Sequence, residues 1–121
     1  MDSMYRLCVE DKFAAAHQLT RYQGACENLH GHTWKMRLTI EGDTLDEAGM
    51  LIDFHVLKGY LKTIHDQFDH KFLNDLLPFS PTSEHLAKYI YEQIEPKLKI
   101  GVRLVDVTVW ESETSSATYN V

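Results

Sequence analysis

Two stretches of alternation open the chain. Tyr5, Leu7, Val9, Phe13, Ala15 and His17 share one parity, and further on His30, His32, Trp34, Met36, Leu38 and Ile40 alternate with Thr33, Lys35, Arg37, Thr39 and Glu41. A strand turns successive side chains to opposite faces, so these runs predict strands over about 5–17, with a bulge near Glu10-Asp11, and over about 30–42. The polar, turn-rich stretch from Gln18 to Leu29 reads as a long connection between them. From Asp53 the period changes: Phe54, Leu57, Leu61, Ile64 and Phe68 trace one stripe of a helix, with Asp53 as its N-cap and an end near Asp69-His70. Thr82-Ser83-Glu84 offers a second cap, and Leu86, Ile90, Ile94 and Leu98 trace a helix interrupted or ended by Pro96. Alternation then returns. Val105, Val107, Val109 and Glu111 take one face and Leu104, Asp106, Thr108 and Trp110 the other; Ala117, Tyr119 and Val121 form a last strand after a turn from Ser112 to Ser116.

The order strand, strand, helix, helix, strand, strand predicts an α+β domain: an antiparallel four-stranded sheet with two helices on one face. Leu104 and Trp110 oppose Val105 to Val109, which would leave apolar surface on the uncovered side, so the pattern predicts self-association. At 121 residues, 44% of them hydrophobic and 25% charged, the chain suits a single domain over 1–121 that buries a core without staples.

A net charge of −6 with scattered basic residues argues against nucleic acid or a membrane surface as partner, since both need clustered Lys and Arg. An anionic small molecule remains compatible, through a local group such as Lys12, Arg21, Lys35 and Lys71. Met1-Asp2-Ser3-Met4-Tyr5-Arg6 has no apolar signal core and no apolar run nears the ~20 residues of a membrane helix, which predicts a cytoplasmic protein. Two cysteines in such a chain read as free thiols. Cys8 on its strand is expected to fill the core, whereas Cys26, among Gly24, Glu27 and Asn28, gains little from packing.

Alternation sends His30 and His32 to one face with Gly31 between them, and His17 ends the neighbouring strand. Three neutral imidazoles with an open fourth position are the ligand set of catalytic zinc. An isolated His-x-His is more often a pair of half-buried, hydrogen-bonded residues; the third histidine at the matching strand end and the nearby thiol favour a shared metal. Cys26 is then either a fourth ligand of a closed structural site or a base or nucleophile beside an open one. His55, His65 and His85 have no companion ligands at useful spacing and read as surface or capping residues. Asp69-His70 is either a carboxylate orienting an imidazole for proton transfer or a helix-end cap. Glu111 is either an exposed strand end or a buried acceptor for two parallel N–H donors.

Phe13-Ala14-Ala15-Ala16-His17, Cys26-Glu27-Asn28-Leu29-His30-Gly31-His32, Ile52-Asp53-Phe54, Phe68-Asp69-His70-Lys71-Phe72-Leu73-Asn74, Pro81-Thr82-Ser83-Glu84 and Trp110-Glu111 together, in order over nearly the whole chain, resemble the 6-pyruvoyl-tetrahydropterin synthase superfamily. The short gap between Cys26 and His30 looks most like its bacterial 6-carboxy-5,6,7,8-tetrahydropterin synthase branch, which serves queuosine biosynthesis. The resemblance implies a tunnelling fold, with subunit sheets joined into a barrel and two trimers stacked as a homohexamer with active sites between subunits. It implies zinc on His17, His30 and His32, Cys26 as proton acceptor assisted by Asp69 and His70, and Glu111 anchoring the pterin. Thr82, Ser83 and Glu84 would help hold the ring. The implied reaction is a lyase step that turns 7,8-dihydroneopterin triphosphate into 6-carboxytetrahydropterin, acetaldehyde and triphosphate. The same scaffold also makes 6-pyruvoyl-tetrahydropterin or acts as a pterin side-chain aldolase; a noncatalytic zinc- or pterin-binding oligomer is the reading from another class.

Overall fold

The computed structural model describes residues 3–19 and 29–121. β1 (Tyr5–His17) and β2 (His30–Gly42) pair antiparallel without interruption, from Tyr5 opposite Gly42 to His17 opposite His30. The expected bulge at Glu10-Asp11 is absent: Asp11 keeps the parity of Val9 and Phe13 and stands opposite Met36. Phe13 and Ala15 from β1 and Trp34, Met36, Leu38 and Ile40 from β2 form one buried face. Cys8 falls on the other parity and is exposed, so it does not fill the core.

α1 (Phe54–Phe68) starts where Asp53 accepts a hydrogen bond from the His55 backbone N–H, and it buries Leu57, Leu61, Ile64 and Phe68 against that face. Phe54, expected on the stripe, is 54% exposed because it sits in the first turn, beyond the reach of the sheet. The chain then gives a short strand that periodicity does not announce, β3 (Lys71–Phe72), and one helical turn, α2 (Leu73–Leu76). α3 (Ser83–Ile94) is capped by Thr82, whose hydroxyl accepts from the His85 N–H, and it passes into a 3₁₀ turn, Glu95–Lys97, at Pro96.

β4 (Arg103–Ser112) and β5 (Ser115–Tyr119) complete a sheet of order β3-β1-β2-β4-β5. The sheet is five-stranded and mixed rather than four-stranded and antiparallel, since β3 runs parallel to β1 at Ala15 and Ala16. Val121, expected in the last strand, lies beyond it and is 88% exposed.

One local detail changes the reading of the sheet's second face. β4 carries a bulge: Thr39 pairs with Asp106 but Ile40 pairs with Leu104, so Val105 has no partner. The extra residue turns Leu104 to the same buried side as Val107 and Val109. On β4 the face away from the helices keeps Trp110, with Lys35 Nζ 4.1 Å and the Arg37 guanidinium carbon 4.7 Å from its ring. Leu104 adds nothing to that face.

Gly42 is required by close approach. A Cβ there would stand 2.7 Å from Leu51 Cδ1 and 2.8 Å from the Gly101 carbonyl oxygen. Gly42→Ala is expected to destabilise by about 1–3 kcal/mol through overpacking, read from the urea midpoint; an unchanged midpoint would mean that this contact is relaxed freely.

Candidate metal centre

His17 and His30 face each other as the last cross-strand pair of β1 and β2, and His32 stands two pairs inward opposite Ala15. The register thus converges three imidazoles at one end of the sheet. His17 Nε2 and His30 Nε2 are 3.1 Å apart, and the three rings meet edge to face with centroids 4.6 to 4.9 Å apart. Donors at ~2.0–2.1 Å from a tetrahedral zinc lie about 3.3–3.4 Å from one another, so this spacing suits one ion.

The protonation pattern suits a cation as well. His17 Nδ1 is 2.8 Å from the carbonyl oxygen of Pro81, which only accepts; the ring proton therefore sits on Nδ1 and the Nε2 lone pair faces the group. His32 Nε2 is buried and lacks a hydrogen-bond partner among the described residues, although Glu111 Oε1 stands 3.2 Å away. A buried, unpaired ring nitrogen is costly unless something else takes its lone pair. Burial pushes the His32 ring below the usual histidine range, against the opposing pull of Glu111, and the charges of His17 and His30 act in the same direction as burial. His32 is thereby kept in the neutral form that a metal requires.

Glu111 completes the group. It lies at the end of β4 on the histidine side, with Oε1 3.9 Å from His17 Nε2, and one ligand atom from each of the four residues falls within 4.8 Å of the others. Alternation had placed Glu111 on this face, but not against the imidazoles. Behind the group, Trp34 is fully buried, donates to the Ala15 carbonyl at 3.3 Å, stacks on Phe13 and presents its ring to His17 and His32. Gly31 points to the other face. A Cβ there would meet only the Ala15 carbonyl oxygen at 4.0 Å, so its glycine is not demanded by the bulk of the ligand group.

Asp69 and His70 form a second unit outside that group. Asp69 Oδ1 accepts the Ala14 N–H at 2.8 Å, and Oδ2 accepts from His70 Nδ1 at 2.7 Å. The Ala14 contact, followed by the His70 contact, holds the Asp69 carboxyl below the usual carboxylate range. A depressed folded-state value means that this link contributes stability above the unfolded carboxylate's range and loses it as pH falls through the folded value. His70 adopts φ +60°, left-handed backbone, and is fixed there by its N–H to the Ala14 carbonyl at 2.6 Å. Its ring is open to solvent, and His70 and His32 both line an open depression of 610 Å³ with Gly31, Thr33, Lys71 and Phe72.

Of the other expected residues, Thr82 is engaged as the α3 cap, Ser83 is buried and Glu84 is exposed. Cys26 lies outside the described residues, as does Arg21. His85 meets the Ser80 carbonyl at 2.7 Å as a capping residue. His65 does more than cap, because its Nδ1 meets the Lys12 carbonyl and its Nε2 faces Asp69. Asn74 was not singled out for a role of its own. It both accepts from the Gln18 N–H at 2.9 Å and donates to the Gln18 carbonyl at 2.7 Å, pinning the chain where it leaves β1.

Over residues 6–121 the chain matches the family described as 6-pyruvoyl tetrahydropterin synthase. The chain belongs to the 6-pyruvoyl tetrahydropterin synthase family. Within it, the chain is 39% identical to a 6-carboxy-5,6,7,8-tetrahydropterin synthase of Synechocystis sp., covering 96% of this chain and 93% of the relative. It is 39% identical to the enzyme of that name from Bacillus subtilis, over 88% of this chain and 78% of the relative. The 6-pyruvoyl tetrahydropterin synthase of Caenorhabditis elegans superposes with a TM-score of 0.86 at 26% identity, covering 99% of this chain and 97% of that one. Family membership therefore extends to the whole arrangement of sheet and helices that carries the histidine group, and the tunnelling-fold expectation holds for the subunit.

Proposed function

We propose that this chain is a zinc-dependent 6-carboxy-5,6,7,8-tetrahydropterin synthase that converts 7,8-dihydroneopterin triphosphate into 6-carboxytetrahydropterin, acetaldehyde and triphosphate, in the cytoplasm and in service of queuosine synthesis. The observation that carries the reading is the convergence of His17, His30 and His32 on one point, with the His17 proton held on the far nitrogen by Pro81. Relatives of that name at 39% identity support the substrate class. When bound, zinc supplies Lewis-acid polarisation of the substrate's side-chain oxygens.

The protein's own groups divide the remaining work. Cys26, next in sequence to the histidine strand, accepts a carbon-bound proton as thiolate. His70, aimed by Asp69 across the 610 Å³ depression it shares with His32, returns or relays protons. Glu111, whose Oε1 lies 3.2 Å from His32 Nε2, would anchor the pterin by accepting two parallel N–H donors on its carboxylate oxygens. Thr82, Ser83 and Glu84, which follow Pro81 in sequence, would help hold the pterin ring.

The assembly proposed is a homohexamer of single-domain subunits, a dimer of trimers. Its support is the sheet's open edges: β1 meets β3 only at Ala15 and Ala16 and α1 covers Lys12 and Ala14, leaving the backbone from Tyr5 to Asp11 at an edge among the described residues, and β5 ends the sheet on the other side. Among the described residues no helix is long and apolar enough to cross a membrane.

Incubating the zinc-loaded protein with dihydroneopterin triphosphate and weighing every product tests the reading. Acetaldehyde with 6-carboxytetrahydropterin is the expected outcome. A pyruvoyl product without acetaldehyde, or a free side-chain aldehyde from an aldolase cut, would replace it.

A further inference from the structure

We propose that His65, on α1, is a positioning residue for the Asp69–His70 pair, holding the Asp69 carboxylate by charge so that Asp69 in turn aims His70. The proposal rests on the reading of Asp69 and His70 as proton-handling groups, and it names a further member of that unit.

The argument comes from the edge of β1. At Lys12 and Ala14 that edge has no neighbouring strand among the described residues, and the end of α1 satisfies it instead. The Lys12 carbonyl meets His65 Nδ1, the Ala14 N–H meets Asp69 Oδ1, and the Ala14 carbonyl meets the His70 N–H. A carbonyl oxygen only accepts, so His65 carries a proton on Nδ1. Its Nε2 then stands 3.5 Å from Asp69 Oδ2, the same oxygen that His70 Nδ1 contacts at 2.7 Å. A bare Nε2 would set a lone pair against a carboxylate; with a second proton the contact becomes attractive. The geometry sets the imidazolium form of the ring 3.5 Å from the carboxylate oxygen that His70 also contacts.

Other charged groups nearby are engaged elsewhere or point away. On α1, Lys62 pairs with Asp66 at 3.0 Å. On β1, Asp11 accepts the Lys12 N–H, and Lys12 contributes its carbonyl while its side chain is exposed. His65 and Asp69 are each partly covered, at 33% and 25% side-chain exposure, so their contact is screened less than one between fully open groups, whereas His70 at 83% is free to meet a substrate.

Two variants of the full, zinc-loaded chain separate charge from packing. His65→Asn keeps an N–H donor at the Nδ1 position for the Lys12 carbonyl without the charge, and His65→Leu removes both. In the Asn variant the Asp69 carboxyl midpoint, followed by ¹³C NMR, should move upward, and the acid limb of kcat/KM should move with it. There kcat should fall about tenfold, a part of the ~10²–10⁴ that proton transfer contributes, with KM, zinc content and Tm near those of the parent. An unmoved Asp69 midpoint in the Asn variant, or parental kcat and pH profile there with loss confined to Leu, would overturn the proposal. A shifted midpoint together with full turnover by Asp69→Asn would instead overturn the proton-handling reading, and the positioning role with it.

Discussion

Replacing His32 with alanine is expected to strip the protein of zinc and abolish turnover while leaving the fold intact. The variant is chosen by geometry. His32 contributes a buried Nε2 with no hydrogen-bond partner among the described residues, beside Glu111 Oε1 at 3.2 Å, and its side chain keeps 22% exposure. His17 is fully buried against Trp34 and satisfies the Pro81 carbonyl, so His17→Ala would mix loss of a ligand with a cavity and an unpaired acceptor. Loss of an outer partner of a ligand already costs roughly 10–100-fold in metal affinity or activity, and loss of a ligand itself should exceed that range. Metal content after gel filtration, with circular dichroism to follow the fold, reads the result. Stoichiometric zinc in folded His32→Ala would remove the three-imidazole site.

Cys26→Ala should have the opposite profile: one zinc per chain retained, and kcat lowered by about 10²–10⁴-fold, the range for a positioned acid or base. Cys26 precedes the histidine strand by a few residues, close enough in sequence to serve either as base or as ligand. The three imidazoles already converge without it, which leaves the fourth position to a substrate or water oxygen. A thiolate is therefore not needed to hold the ion. Zinc lost along with turnover in this variant would make Cys26 a ligand and the site a closed, structural one.

Much of this arrangement was legible in the residues because it depends on periods that side chains record. His17, Phe13 and Ala15 share a parity on β1, and His30, His32 and Trp34 share one on β2, so the ligands and the core beneath them were visible together. The caps at Asp53 and Thr82 were visible for the same reason, since a side-chain oxygen before an apolar stripe has few other uses. What escaped has no periodic signature. β3 is two residues long and exists because Asp69 and the left-handed His70 dock on Ala14. The bulge at Val105 breaks the parity count that reading by alternation assumes, so Leu104 was assigned to the wrong face and an interface inferred from it. The Pro81 carbonyl fixes the His17 tautomer, yet a backbone group leaves no trace in residue identity. His65 looked like a lone surface histidine because its partners are a carbonyl far away in the chain and a carboxylate one helical turn on.

The most direct test of the central claim is X-ray absorption at the zinc edge of the resting, zinc-loaded protein. The account predicts three imidazole nitrogens at about 2.0–2.1 Å with oxygen in the fourth position; a sulfur neighbour at about 2.3 Å, or fewer than three imidazoles, would contradict it.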